Sequence, residues 1–363
     1  MTSITNPSSV FKPSPTAYLN VLRIFACLMV LIVHSGEFFY ITAAGAVQPT
    51  HYTWVNHYGS LMRACVPLFV MISGYLLLPI KEPASVFYKK RFTRLLFPFL
   101  IWSVMYCIVP YFLGTDKAGT MWANMANIPV NINWSAGHLW FVYMFIGVYL
   151  FIPVISPWAQ TASKNFKLFF LAIWVFTLFL PYIRTVYPDV LGEVFWNKFS
   201  SVYYFSGYIG YLVLGQYIKE HVRLSKAQTI GIGLALVIAG YIITHQVFAH
   251  QWPTAKTLPL LELSWAFPTI NVAMMATGMF LLFSLISFKS AKTELAVAKF
   301  SGLTYGMYLA HILVLNQFFG PVNNWLHGEP RLVIPVLAVS TFIATYIGIK
   351  LLSYLPGSKY IVG

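Results

Sequence analysis

Ten apolar stretches dominate this chain, at about 17–40, 60–79, 92–112, 138–157, 166–183, 200–219, 227–245, 263–288, 301–319 and 331–355. Each is close to the roughly 20 residues a helix needs to cross about 30 Å of hydrocarbon. Inside lipid a backbone must satisfy its own N–H and C=O groups, which leaves helices or a closed barrel. Apolar runs of this length predict helices, so the expected fold is all-α: a polytopic membrane protein with a bundle of about ten transmembrane helices. Composition agrees, since 58% of residues are apolar and only 9% charged, far from the balance of a water-soluble domain.

The charge pattern orients the bundle. A formal net charge of +14 also occurs in proteins that bind nucleic acid. Here the basic residues lie in short clusters between apolar runs, as in loops facing an anionic cytoplasmic leaflet, and nucleic acid is excluded as a partner. With the N-terminus inside, sixteen of the 23 Lys and Arg residues fall in cytoplasmic segments and five in outer loops, while Arg23 and Arg63 lie within spans. Both termini are therefore expected in the cytoplasm, with membrane lipids as the surrounding partner. Residues 1–16, polar with three prolines, read as a disordered cytoplasmic tail. Residues 17–355 read as one membrane domain and 356–363 as a short cytoplasmic tail. Cys27, Cys65 and Cys107 each sit inside an apolar run without paired spacing, so neither a disulfide framework nor a metal site is expected.

The first span, "YLNVLRIFACLMVLIVHS" at 18–35, carries an arginine and a histidine that hydrocarbon does not favour. Arg23 and His34 are eleven residues apart, so about 100° per residue returns both to one helix face, roughly 16 Å apart along the axis. Asn20 and Cys27 fall near the same stripe. A site inside the bundle explains this face; the alternative is that Arg23 snorkels to one surface while His34 bonds at the other. Glu37, one turn beyond His34, is placed to orient the imidazole or to be solvated.

Other spans add candidates. "VPLFVMISGYLLL" has Pro67 and the small pair Ser73 and Gly74, which permit a kink or a close helix approach, while Arg63 at its outer start reads as snorkelling. In "KKRFTRLLFPFL", Arg91 and Arg94 occupy neighbouring positions on one helix face, with Lys90 just before them. Such a fork-bearing pair suits phosphate, and a topological role in a basic loop suits it too. His138 and Trp140 open the fourth long span, and His311 lies mid-span in "SGLTYGMYLAHILVL" near Ser301, Thr304, Tyr305 and Tyr308.

Taken in order, "LRIFACLMVLIVH", "VPLFVMISGYLLL", "KKRFTRLLFPFL", "HLWFVYMFIGVYLFIP" and "SGLTYGMYLAHILVL" resemble the acyltransferase-3 family of integral-membrane acyltransferases along most of the chain. The resemblance implies transfer of an acyl group, usually acetyl, from cytoplasmic acyl-CoA to a hydroxyl of a cell-envelope carbohydrate or lipid-linked glycan, in the bacterial inner membrane. It also implies His34 as the catalytic residue, Arg23 as its essential partner, and Arg91, Arg94 and Lys90 as contacts for the CoA phosphates. His138, Trp140, His311 and Glu37 form a possible secondary site, and no metal is implied.

A neutral imidazole is suited to act as general base on a sugar hydroxyl. Arg23 is too far from His34 to touch the same atoms, so the expectation is one extended donor threaded along the first helix. Two other chemistries compete. A transporter or flippase of a lipid-linked sugar would also line its path with charged residues. A haem protein would use His34, His138 and His311, but with His311 expected deeper in the membrane than the other two, the paired arrangement is missing.

Overall fold

The computed structural model describes residues 11–42, 45–48, 52–130, 134–190 and 202–363. Among these residues the chain is helical, with no β-strand. In chain order the helices are α1 (Tyr18–Glu37), α2 (Tyr52–Met62), α3 (Cys65–Leu77), α4 (Ala84–Phe112), α5 (Ala118–Asn127), α6 (Trp140–Thr161) and α7 (Lys164–Thr177). They continue as α8 (Leu180–Val186), α9 (Tyr208–His221), α10 (Lys226–Gln251), α11 (Leu258–Leu261), α12 (Ile270–Phe283), α13 (Ala291–Trp325) and α14 (Pro330–Leu352).

Among the described residues, eight segments are long and apolar enough to cross a membrane, against the ten expected. The other two expected spans, 200–219 and 301–319, fall on α9 and α13. Helix α9 has only 14 residues, because it starts at Tyr208 after Gly207, whose φ of 73° is not helical, and a separate short turn precedes it at Tyr203–Phe205. Helix α13 is 35 residues long, but His311, Asn316 and Gln317 interrupt its apolar run.

Helix α1 packs against α2, α3, α12, α13 and α14, so it is surrounded by protein rather than lipid. Leu22, Ala26, Met29 and Leu31 are wholly buried there. Its polar stripe faces α13 in a one-to-one register. The Arg23 Nη1 donates to Ser301 Oγ at 3.1 Å, Cys27 Sγ lies 3.8 Å from the Thr304 carbonyl, and the His34 ring sits 5.2 Å from that of His311. Both sequences advance together along this seam, so α1 and α13 run parallel. The Arg23 guanidinium is thus engaged with α13 inside the bundle.

The second expected span is broken into α2 and α3 by a turn at Arg63 and Ala64. Pro67 is the cause: it lacks the N–H that would bond the Arg63 carbonyl four residues earlier. The close approach permitted by the small pair is made at Gly74, where a Cβ would lie 1.9 Å from the Leu212 carbonyl oxygen on α9; at Gly215 one would lie 2.1 Å from the Met71 oxygen. Gly74→Ala is therefore expected to push α3 from α9 at a cost of about 1–3 kcal/mol, read as a lower Tm of the detergent-solubilised protein. Gly215→Ala should act in the same direction, and an unchanged Tm in both variants would contradict the packing.

Three expectations for the basic end are revised. Lys167, counted as a loop charge, is 2% exposed and pairs with Glu220 at 2.5 Å, tying α7 to α9. The segment 356–363 is not a free tail: Val362 is buried, Trp102 Nε1 donates to the Ile361 carbonyl at 3.0 Å, and Gly363 packs against Tyr305. Of the tail at 1–16, residues 1–10 lie outside the described residues, while the Ser14 N–H donates to Glu294 in the first turn of α13 at 3.2 Å. The described start and end of the chain thus meet at the same end of the bundle, the end that holds Arg23.

Candidate active site

At that end a cavity of about 280 Å³ opens between α1, α3, α4, α6 and α13. Arg23, Arg91 and Arg94 line it, together with Tyr149, Ser301, Tyr305 and Gly363. Arg91 and Arg94 reach it from one face of α4, with the Arg91 guanidinium 5.7 Å from the Phe87 ring. The Arg91 Nε is buried without a hydrogen-bond partner. Three guanidinium groups converge here and no acidic side chain lines the space, an arrangement that attracts a polyanion. Lys90 is not brought to this cavity; its ammonium pairs with Glu82 and is largely exposed.

Farther along α1, His34 stands at the junction of two more cavities, of about 220 and 880 Å³. His34, Glu37, His138 and Trp140 line both. The His34 Nδ1 lies 2.9 Å from Glu37 Oε2, so Nδ1–H donates to the carboxylate and leaves Nε2 free to accept a proton. His138 and His311 complete a cluster of three rings, with centroids 4.9 Å apart from each other and 6.4 and 5.2 Å from His34.

His311 is wholly buried and level with His34, not deeper as expected. Its Nδ1 is held by the Tyr308 carbonyl, while His311 Nε2 and both ring nitrogens of His138 have no partner. Among the described residues, no group of three or more His, Cys, Asp or Glu is arranged to hold a metal ion.

The larger of these two cavities also presents Thr42, Gln48 and Asn316, and its volume falls in the range of small-ligand sites. The smaller one contains a pair that sequence reading missed. Arg63, expected to snorkel, is 7% exposed: its guanidinium lies 4.2 Å over the Trp265 ring, 3.6 Å from Glu262 and 3.3 Å from the Tyr40 hydroxyl. The turn imposed by Pro67 carries it inward, and its Nε remains buried and unpartnered beside the cavity. Glu262 was the available signal, because a chain with only nine acidic residues places few carboxylates near a span end. Around Arg63, Glu262 and Glu37 the charge is balanced or negative, the reverse of the arginine cavity.

The geometry thus joins two chemically different ends along one seam of α1 and α13: a cavity lined by three arginines, and an imidazole paired with a carboxylate at an open cavity. No curated protein and no solved structure matches the chain. A family model described as an acyltransferase domain matches residues 16–350, and on this evidence the chain belongs to the acyltransferase-3 family and is a membrane acyltransferase.

Proposed function

We propose that the protein moves an acyl group, acetyl in the first instance, from acyl-CoA to a hydroxyl of a carbohydrate or lipid-linked glycan of the cell envelope. The layout resembles stand-alone bacterial surface-polysaccharide O-acetyltransferases such as the enterobacterial common antigen O-acetyltransferase. The arginine end faces the cytoplasm, where the basic loops belong, and the His34 end faces the outer side of the bacterial inner membrane. The observation that carries this reading is the single α1–α13 seam, with three arginines at one end and the His34–Glu37 pair at the other. Family membership favours an enzyme over a sugar flippase.

The phosphates of CoA occupy the arginine cavity, and the pantetheine arm runs along the seam toward His34. There His34 Nε2 takes the proton of the acceptor hydroxyl as its oxygen attacks the thioester carbonyl. The C–O bond forms, the C–S bond breaks, and the imidazolium returns the proton to the departing thiolate, giving an O-acyl glycan and free CoA. Glu37 holds the ring through Nδ1 and steadies its transient positive charge. Trp140, stacked on Phe267 at 5.6 Å, and the polar residues of the outer cavity suit a sugar's apolar face and its hydroxyls.

Mass spectrometry of envelope glycans from a deletion strain and its complemented counterpart tests this. The expected result is one ester-linked acyl mass, removed by mild base, that is present only with the gene. Identical glycans in the two strains, or movement of a lipid-linked sugar with no release of CoA thiol, would defeat the reading.

A further inference from the structure

The arginine cavity and His34 do not share one open space. The cavity holding Arg23, Arg91 and Arg94 and the 220 Å³ chamber beside His34 have three lining residues in common: Phe69 on α3, Phe141 on α6 and Tyr308 on α13. Neither His34 nor Glu37 lines the first, and none of those three arginines lines the second. The rings stand in a row between the two spaces. Phe69 meets Phe141 edge-on at 5.6 Å, and Phe141 lies 4.9 Å from Tyr308.

The three are not equivalent. Tyr308 is buried and tethered, its hydroxyl donating to the His138 carbonyl. Phe69 and Phe141 have no polar atom to fix them and are only half-buried, although they stand in the middle of the bundle. Each borders open space on both sides. An apolar constriction of this kind also resists wetting, which keeps the two ends of the bundle from joining into a leak.

We infer that Phe69, Phe141 and Tyr308 select the acyl group by size. The inference rests on the acyl-CoA reading above: a donor anchored at the arginines brings its thioester to His34 only between these rings. Beyond them, the chamber walled by Val30, Val33, Cys65 and Val66 must hold the thioester and leave room for the attacking hydroxyl. Its other walls carry His34, Glu37, Arg63, His138 and Glu262, so the apolar space left for an acyl chain lies against the rings and the first four side chains, where one methylene too many costs roughly 10- to 200-fold in rate.

The test uses the full-length protein in vesicles with its own envelope glycan, and acetyl-CoA, butyryl-CoA and hexanoyl-CoA as probes. Free thiol and the mass of the transferred acyl group are measured. Wild type is expected to prefer acetyl over butyryl by about 100-fold or more. Phe141→Ala should lower that ratio by about tenfold or more. Phe69→Leu, which removes the ring but keeps a branched apolar side chain, should lower it in the same direction and by less, without depending on a large cavity being tolerated.

Equal use of acetyl and butyryl by wild type, or an unchanged ratio in both variants, would overturn the size filter and leave acyl transfer standing. Failure of wild type to consume any of the three thioesters would instead remove the acyl-CoA reading, and the filter with it.

Discussion

Replacing His34 by alanine or glutamine is expected to lower acyl transfer by about 10²–10⁴-fold, the usual contribution of a positioned general base. The loss should fall on kcat, because His34 lies apart from the arginines proposed to hold the donor: CoA binding and membrane expression should stay near wild type. Glu37→Gln keeps an oxygen able to accept from Nδ1–H but removes the charge that favours the imidazolium. A loss of up to about 10⁴-fold is expected there, as when an amide replaces the carboxylate behind a catalytic histidine. Single-turnover acyl transfer to envelope glycan, with CoA binding measured on the same preparations, checks both. The other two rings sharpen the outcome. Normal turnover in His34→Ala together with loss in His138→Ala would move the base to His138, whose ring nitrogens have no other partner.

The helices and the Arg23–His34 face were legible because hydrocarbon length and helical period are local properties. The arithmetic that places residues 23 and 34 on one face needs no knowledge of the neighbours. That α13 supplies the matching face, with Ser301, Thr304 and His311 in step with Arg23, Cys27 and His34, depends on which helices pack together, and the sequence carries no such record.

Arg63 shows the same limit from the other side. A cation at a span end snorkels when lipid surrounds it, and here the Pro67 break turns it toward Glu262 and Trp265 instead. Pro67 was visible, but the direction of the turn was not. Lys90 illustrates the converse, since its neighbours Arg91 and Arg94 enter the cavity while its position on the helix takes it to Glu82. Phe69 and Phe141 were hidden among 30 phenylalanines, and only the cavities on either side of them set them apart.

Arg91→Ala is expected to raise the KM for acetyl-CoA by roughly ten- to a hundredfold, the worth of a charge-assisted hydrogen bond of about 1.5–3 kcal/mol, with a smaller change in kcat. Arg94→Ala should act in the same direction but less strongly, because Arg94 is the more exposed of the two and water screens it. Lysine at position 91 should restore only part of the affinity, since a compact ammonium lacks the planar fork that grips two phosphate oxygens. Raising the salt concentration should weaken wild-type donor binding and have less effect on the alanine variants. Acetyl-pantetheine separates anchoring from chemistry, because it presents the same thioester without the nucleotide phosphates. Wild type should use it poorly, and Arg91→Ala should be no worse than wild type with it. Should Arg91→Ala lower kcat equally with both donors, the arginines would be shaping the bundle around the seam instead of holding phosphate, and the donor would have to enter elsewhere.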